Sequence, residues 1–321
     1  MSLFSSKFLN EMGVSDWGYT TQSVPRSWEK FKSWIHNKGE GDLLYLSDHR
    51  KNLRADIKNF FPEFQSALVF LFDYTGVKKS LKDYEMNQKI AAYSMAFDGD
   101  DYHFVIKNRL EKIALELKKN FKFKWVISLD IHPVMERDLA YRAGLGWFGK
   151  NSMLIHPKKG SYFLIGSLLL SIQLPVDAPL VVTDHCGSCR ACVDACPTEA
   201  IDGNSRTLKA NLCLSTFTIE KRKDEPPPMG REKSPQEIFG CDICQDVCPW
   251  NRKPLFKAQK QKFSEKGMEN IRFWLLRSPS EIYLEISKMS GRAYQRLFKG
   301  SVFTRPGKKG ILKNLKSLIN K

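Results

Sequence analysis

Residues 186–197, CGSCRACVDACP, carry four cysteines at C-x2-C-x2-C-x3-C and close with a proline. This spacing holds iron–sulfur clusters in two-cluster electron-transfer domains, where the fourth thiolate of the run ligates the other cluster. A second ligand set must therefore lie elsewhere. The 321 residues contain eight cysteines, and Cys213, Cys241, Cys244 and Cys248 remain. The last three sit in CDICQDVCPWN (241–251), again C-x2-C-x3-C-P, which makes Cys213 the displaced first member. Reciprocal lending assigns Cys186, Cys189, Cys192 and Cys248 to one 4Fe–4S cluster, and Cys196, Cys213, Cys241 and Cys244 to the other.

An iron–sulfur cube needs thiolates from several directions. The x2 steps supply three from a tight turn, and the x3 step enters a helical turn that aims the fourth elsewhere. Zinc sites use C-x2-C pairs rather than triplets ending in C-P. Disulfides suit exported chains, whereas MSLFSSKFLNEMG at the N-terminus lacks the basic and apolar regions of a signal peptide. The most apolar run, YFLIGSLLLSI (162–172), falls short of the roughly 20 residues needed to span a bilayer. The expectation is a soluble, cytoplasmic protein that does not engage membranes and acts as a monomer.

With 42% hydrophobic and 12% aromatic residues, the chain can bury a sizeable core. Fifty-one Lys and Arg against 35 Asp and Glu leave a net charge of +16. Such an excess suits a polyanion such as nucleic acid, or a membrane surface, and a merely basic cytosolic protein is the plain alternative.

Upstream of the cysteines the pattern is α/β (α+β in the broader sense). SALVFLFDY (66–74) and KWVISLD (124–130) read as strands. DYHFVIKNRLEKIALELKKN (101–120) reads as an amphipathic helix with Ile106, Leu110, Ile113 and Leu117 on one face. ERDLAYRAGLG (136–146) reads as a helix closed by glycine, and GSYFLIGSLLLSI (160–172) as one or two strands. Alternation of this kind predicts a sheet layered with helices.

GLGWFG (144–149) matches a dinucleotide-binding motif by letter only. Its glycines end a helix, and no acidic residue occurs between Asn151 and Val176. Asp130 and His132 form a D-x-H similar to the cobalt-ligating D-x-H-x-x-G loop of one class of cobalamin proteins. Position 135 is Met rather than Gly and Pro133 stiffens the turn, so His132 is read as a strand-end histidine without a metal role. Asp130 lies where an apolar strand runs out, a place where open α/β sheets bind ligands. Partial burial would raise its pKa and suit it to proton donation. As an isolated feature such an aspartate is more often a helix cap or turn former.

The stretches LDIHPVMERDLAYRAGLGWFGKNSMLI, CGSCRACVDACPTEAI, CLSTFTIE (213–220), IFGCDICQDVCPWN (238–251) and RLFKGSVFTRPGKKGILKNL together resemble the epoxyqueuosine reductase family. The resemblance covers nearly the whole chain. It implies a cobalamin-binding sheet domain with flanking helices over 1–180, a ferredoxin-like two-[4Fe-4S] domain over 181–255, and a basic helical tail over 256–321. It also implies cob(II)alamin as cofactor, tRNA as substrate and an external low-potential electron donor. Asp130 would be the proton donor. Arg54, Ser94, Asp130, Leu154, Ile165, Ser215, Cys241 and Asp242 would contact the cobalamin. Asp101, Tyr102 and His103 match the family pattern well. Leu129 stands where valine is usual, and the HEAT-like repeats that some members append have no counterpart. Reductive dehalogenases share the ferredoxin–cobalamin architecture and are the rival enzyme reading; a non-catalytic electron-transfer protein is the rival from another class.

The tail, 291–321, contains nine Lys and Arg and no acid: Arg292, Arg296, Lys299, Arg305, Lys308, Lys309, Lys313, Lys316 and Lys321. Ile311, Leu312, Leu315, Leu318 and Ile319 form an apolar stripe, so a docked helix is expected to turn these charges toward phosphate, Lys308 and Lys309 among them. The ligand assignment has a direct test. Cys213→Ser is expected to damage one cluster selectively, lowering iron below eight per chain and altering one EPR signal; two intact clusters would refute the assignment.

Overall fold

The computed structural model describes residues 3–177, 179–222, 225–234 and 236–319. Four strands form the main sheet: β1 (Asp16–Thr20), β2 (Ser66–Asp73), β3 (Trp125–Ser128) and β4 (Phe163–Leu170). Their order is β1-β2-β4-β3, and every neighbouring pair is antiparallel. The fold is therefore mixed α/β of the α+β kind. The ligand-crevice rule for parallel sheets does not apply to Asp130, whose place is set by local contacts described below.

Of the helices among the described residues, seven bear on the site: α1 (Thr75–Leu81), α2 (Tyr102–Leu117), α3 (Glu136–Arg142), α4 (Leu214–Ile219), α5 (Pro249–Lys257), α6 (Pro279–Lys288) and α7 (Gly307–Ile319). The run from Ser66 to Phe72 is buried throughout because both sheet faces are covered. Leu68, Phe70 and Phe72 pack with Ile106, Leu110, Ile113 and Leu117 of α2. The alternate residues Ala67, Val69 and Leu71 pack with Leu139, Ala140 and Ala143 on the α3 side. This is the two-residue period of a strand joined to the helical period of α2. Gly166 lets the layers close, since a Cβ there would lie 2.9 Å from the Ile106 side chain.

GLGWFG closes α3 and enters a hairpin of Trp147–Phe148 with Leu154–Ile155. Gly144 has φ +77°, and a Cβ on Gly146 would meet the Ile155 carbonyl oxygen at 2.2 Å. These glycines serve backbone approach, in keeping with the rejection of a dinucleotide motif.

A third core draws on all three stretches outlined by sequence. It joins Tyr74, Val77, Leu81 and Met95 to Ile238 and Phe239, and to Trp274, Ile282, Ile286, Phe303, Ile311 and Leu315. The apolar stripe of α7 docks as expected through Ile311 and Leu315, with Leu312 and Leu318 partly buried, while Ile319 stays exposed. The expectation that the tail's charges face outward is corrected in part. Lys313 is buried and donates to the carbonyls of Phe217 and Lys221, at 2.6 and 2.7 Å. Lys308 donates to the carbonyls of Ser287 and Met289 at the end of α6. Arg305 is paired with Glu220. The physical reason is that an ammonium reaching orphan carbonyls at a helix end satisfies them and complements the helix dipole. Arg292, Arg296, Lys299 and Lys309 do face solvent, and Lys321 lies outside the described residues. Among the described residues no helix is long and apolar enough to cross a membrane.

Lys308→Met is accordingly expected to cost about 1–2 kcal/mol of stability, because two carbonyls lose a charged donor. Lys309→Met should leave stability unchanged. Chemical denaturation of the two variants checks the difference, and equal midpoints would overturn the structural role of Lys308.

Candidate functional site

Asp101 caps α2: its Oδ1 accepts the backbone N–H of His103 at 3.0 Å and lies 2.6 Å from His103 Nδ1. The cap holds the first two helical side chains together, with the Tyr102 and His103 rings stacked at 4.1 Å. Both reach Asp130. Tyr102 donates its hydroxyl to Oδ2, and His103 Nε2 bonds to Oδ1. Asp130 stands two residues beyond β3, and the turn is held by His132, whose Nδ1 accepts the Leu129 N–H at 3.2 Å. The His132 ring rests against Phe60, 5.7 Å between centroids.

The electrostatics correct the sequence expectation for Asp130. Burial works to raise its pKa, but the hydrogen bond and charge of His103, the Tyr102 hydroxyl and the charge of Arg305 prevail and hold the carboxyl below its usual range. Half of the Asp130 side chain is open to solvent, so burial is incomplete while the charged partner is direct. In His103, burial opposes the charged ring, yet the bonds to Asp101 and Asp130 outweigh it and push the pKa up to about 10. The proton of this pair therefore resides on the imidazole at neutral pH. Nδ1–H then donates to Asp101 and Nε2–H to Asp130. Tyr102 is raised by burial and by the Asp130 charge, and stays neutral. Glu136, the first residue of α3, is likewise raised well above the carboxylate range by burial and by the charge of Asp130. Its Oε1 is buried without a hydrogen-bond partner among the described residues.

Three residues that the sequence reading did not single out, Tyr93, Tyr45 and Glu220, surround this group together with Arg305, which it named only as a charge of the tail. Tyr93 packs edge-on to Tyr102 at 5.9 Å and lies within electrostatic reach of both Asp130 and Asp242. Tyr45 feels the charges of Glu220, Arg305, Arg54 and Asp130. Arg305 holds Glu220 through a two-pronged pair at 2.8–3.2 Å. No local pattern signals these residues, because they arrive from two separate 3-10 turns, the C-terminal cap of α4 and the tail.

The cysteines sort into two groups. Cys186, Cys189, Cys192 and Cys248 line one cavity of about 180 Å³ together with Lys150, His185 and Trp250. Cys192 is raised by burial and by the other three thiols of this group. Cys241 and Cys244 are raised by burial first and then by neighbours that include Cys213, and Cys213 in turn feels Cys196. Buried thiols that repel one another's ionisation are poorly suited to exist as bare thiolates. Bound iron reverses that balance and ligates them as thiolates. The residues thus fit two clusters, and Cys244 feels Cys192 across the gap between the groups.

Asp242 ties the second group to the sheet domain. Its Oδ2 accepts from the Ala92 N–H and from Lys78 Nζ, both at 2.9 Å, and Lys78 also pairs with Asp246 at 2.8 Å. Of the other predicted cobalamin contacts, Arg54 is half-buried and its Nη1 reaches the Tyr45 carbonyl at 3.4 Å. Ser94 is buried, and its hydroxyl donates to the Ala91 carbonyl at 2.7 Å. Leu154 is buried in the core beneath α3, Ile165 is half-buried opposite Leu71 on β4, and Ser215 is half-buried in α4. Arg54 and Asp242 come within the electrostatic surroundings of Asp130, through Tyr45 and Tyr93 respectively. Ser94 and Leu154 present no outward side chain.

Residues 54–130 match the family described as epoxyqueuosine reductase QueG, DUF1730. Residues 185–251 match the 4Fe-4S double cluster binding domain. The epoxyqueuosine reductase of Leadbetterella byssophila is 33% identical over 305 residues, covering 94% of this chain and 91% of that one. The chain belongs to the epoxyqueuosine reductase family. The Escherichia coli member is 31% identical over 306 residues, 95% of this chain and 77% of its own. A solved epoxyqueuosine reductase from Streptococcus thermophilus shares the fold with a TM-score of 0.78 at 24% identity, covering 98% of this chain and 79% of that one. Another, with a TM-score of 0.77 at 23% identity over 98% of this chain and 79% of its own, was solved with an epoxyqueuosine-modified stem loop of a tyrosine tRNA. Like its relatives, this family member is a reductase with a domain for two 4Fe–4S clusters.

The raised pKa of His103 has a measurable sign. Its folded value of about 10 exceeds the ordinary 6.5, so its stabilisation is complete below pH 6.5 and disappears as pH rises through 10. Asp130 behaves oppositely: its contribution is complete above the ordinary carboxylate range and disappears only as pH falls through its depressed value. NMR titration should give a His103 midpoint near 10, falling by about a unit or more in Asp130→Asn. A midpoint near 6.5 in the unaltered protein would refute the pairing.

Proposed function

We propose that this protein reduces epoxyqueuosine to queuosine at the wobble position of tRNA, using cobalamin and electrons relayed by two 4Fe–4S clusters. The observation that carries this reading is spatial order. The outer thiol group with its exposed Cys189, the inner thiol group, Asp242 bonded to the Ala92 N–H beside Tyr93, and the Asp130–His103 pair are linked one to the next by electrostatic reach.

Removing the epoxide oxygen consumes two electrons and two protons and yields an alkene and water. Cobalamin, when bound, supplies a reduced cobalt centre, a soft nucleophile and one-electron reductant suited to a strained ring. Arg54, Ile165 and Ser215 are accessible enough to touch it, whereas Ser94, Leu154 and Asp242 would contribute shape, Leu154 being apolar and the Ser94 hydroxyl and Asp242 Oδ2 already committed. Cys241 joins the inner cluster to the same surroundings.

The chain's own chemistry is proton delivery. His103 holds a proton at Nε2, shared along its bond to Asp130 Oδ1, and the half-exposed Asp130 presents that bond to the departing oxygen. Asp101 stabilises the imidazolium from the far side, and neutral Tyr102 orients the carboxylate. Glu136, neutral and close by, is a store for the second proton. Asp130 thus acts as the proton donor through the pair rather than as an acid raised by burial. The exposed cations Arg292, Arg296, Lys299 and Lys309 suit the phosphates of an RNA substrate. An external low-potential donor supplies the electrons, one at a time.

Asp130→Asn and His103→Gln are each expected to retain cobalamin and both clusters while losing about 10²–10⁴-fold in turnover. Single-turnover assays on epoxyqueuosine-containing tRNA check this. Turnover near that of the unaltered protein in both variants would remove the pair from the reaction.

A further inference from the structure

The two thiol groups are not equally accessible. Cys189 is exposed, and the turn 187–190 around it is exposed throughout, whereas Cys196, Cys213, Cys241 and Cys244 include no exposed member. The group containing Cys189 is therefore the one most open to electrons from outside.

Helix α5 begins at the residue after Cys248, a member of that outer group. Arg252, Lys253, Phe256 and Lys257 occupy positions i, i+1, i+4 and i+5 and so share one helical face. All four are exposed, Phe256 by 83%. Among the described residues none of the three cations has an ion-pair partner, although acid–base pairs are common elsewhere on this surface. The helix is not loose: Lys79 Nζ donates to the carbonyls of Phe256 and Ala258 at 2.7 and 2.8 Å, fixing its end against α1. A large aromatic side chain is thus held in water on a rigid support, ringed by unpaired cations. It stands about 12 Å along the helix from a cluster thiol.

We propose that this face of α5, with the exposed turn 187–190, docks an acidic one-electron carrier protein that reduces the outer cluster. The inference rests on the proposed function only in needing an external donor. Each encounter oxidises the carrier by one electron and reduces the outer cluster by one, so two encounters serve each epoxide. Electron-transfer partners bury small interfaces and dissociate quickly, with charge providing the rate of encounter and a central apolar contact providing orientation. The exposed aromatic residue amid cations meets both needs. Cations around an aromatic ring also suit RNA, through phosphates and base stacking; what favours the carrier is that the helix starts at the outer thiol rather than at Asp130.

The test uses reconstituted holoenzyme and stopped-flow bleaching of the clusters. The protein probe is a reduced acidic [2Fe–2S] ferredoxin, and the small-molecule control is reduced methyl viologen. Combined Arg252→Glu, Lys253→Glu and Lys257→Glu should slow reduction by ferredoxin about tenfold or more and abolish its decline with salt. Phe256→Ser should slow it severalfold. Reduction by methyl viologen, iron content and tRNA affinity should not change. If the triple variant loses iron, single Lys→Gln changes at 253 and 257 provide the same reading with smaller effects. Unchanged ferredoxin kinetics would overturn the proposal, as would loss of tRNA affinity with ferredoxin kinetics intact, which would assign the face to RNA. Because the readout is cluster reduction, unaltered protein that bleaches normally but leaves epoxyqueuosine intact would overturn the substrate reading alone.

Discussion

The ammonium of Lys78 is the buried charge that, within the core they share, sets the two chemical halves of the molecule in register. It stands between Asp242 and Asp246, almost out of solvent, while Asp242 also accepts the Ala92 N–H. Burial favours a neutral lysine, but the two carboxylates outweigh it and keep the group charged. Tyr162 donates to Asp246 at 2.5 Å and completes the arrangement. A buried ion left without its partner is costly, about 3–5 kcal/mol, which makes the junction specific rather than merely adhesive. The loop carrying Cys241, Cys244 and Cys248 is thereby set against the turn that carries Tyr93 and Ser94.

Tyr93 lies within electrostatic reach of both Asp242, beside the cysteine loop, and Asp130, so in the proposed reaction electron and proton delivery would meet at one residue's surroundings. The proton side is organised by a helix cap. Asp101 satisfies an orphan N–H at the start of α2 and, through the same oxygen, charges the imidazole that bonds Asp130. One carboxylate thus does a structural and an electrostatic task together. Its consequence is that Asp130 rests ionised beside an imidazolium.

The basic tail shows how the same residue type divides by context. Lys308 and Lys313 end on main-chain carbonyls and support α6 and α4, whereas Lys309, adjacent in sequence to the first, points into solvent. Arg305 does neither: its pair with Glu220 sits within reach of Asp130 and brings the tail into the site's field. Composition records the charges but not their targets, since those depend on which carbonyls a neighbouring helix leaves unsatisfied.

Much of this was legible in the amino-acid sequence. Cysteine spacing alone grouped the thiols, because ligand geometry around a small rigid object demands short, regular steps. Apolar runs located β2, β3 and β4, helical periodicity located α2 and a closing glycine marked α3, because a strand covered on both faces is apolar throughout and a helix covered on one face keeps its period. The Cys186 group lining one cavity follows the same grouping. Tertiary structure alone decided the direction of the sheet's pairings, the ionisation of Asp130 and the inward turn of Lys308 and Lys313. It also decided the assembly of Tyr45, Tyr93, Glu220 and Arg305 around one carboxylate. These are pairwise facts between residues distant in the chain, and their energies depend on separation and solvent exposure. No local pattern encodes either quantity.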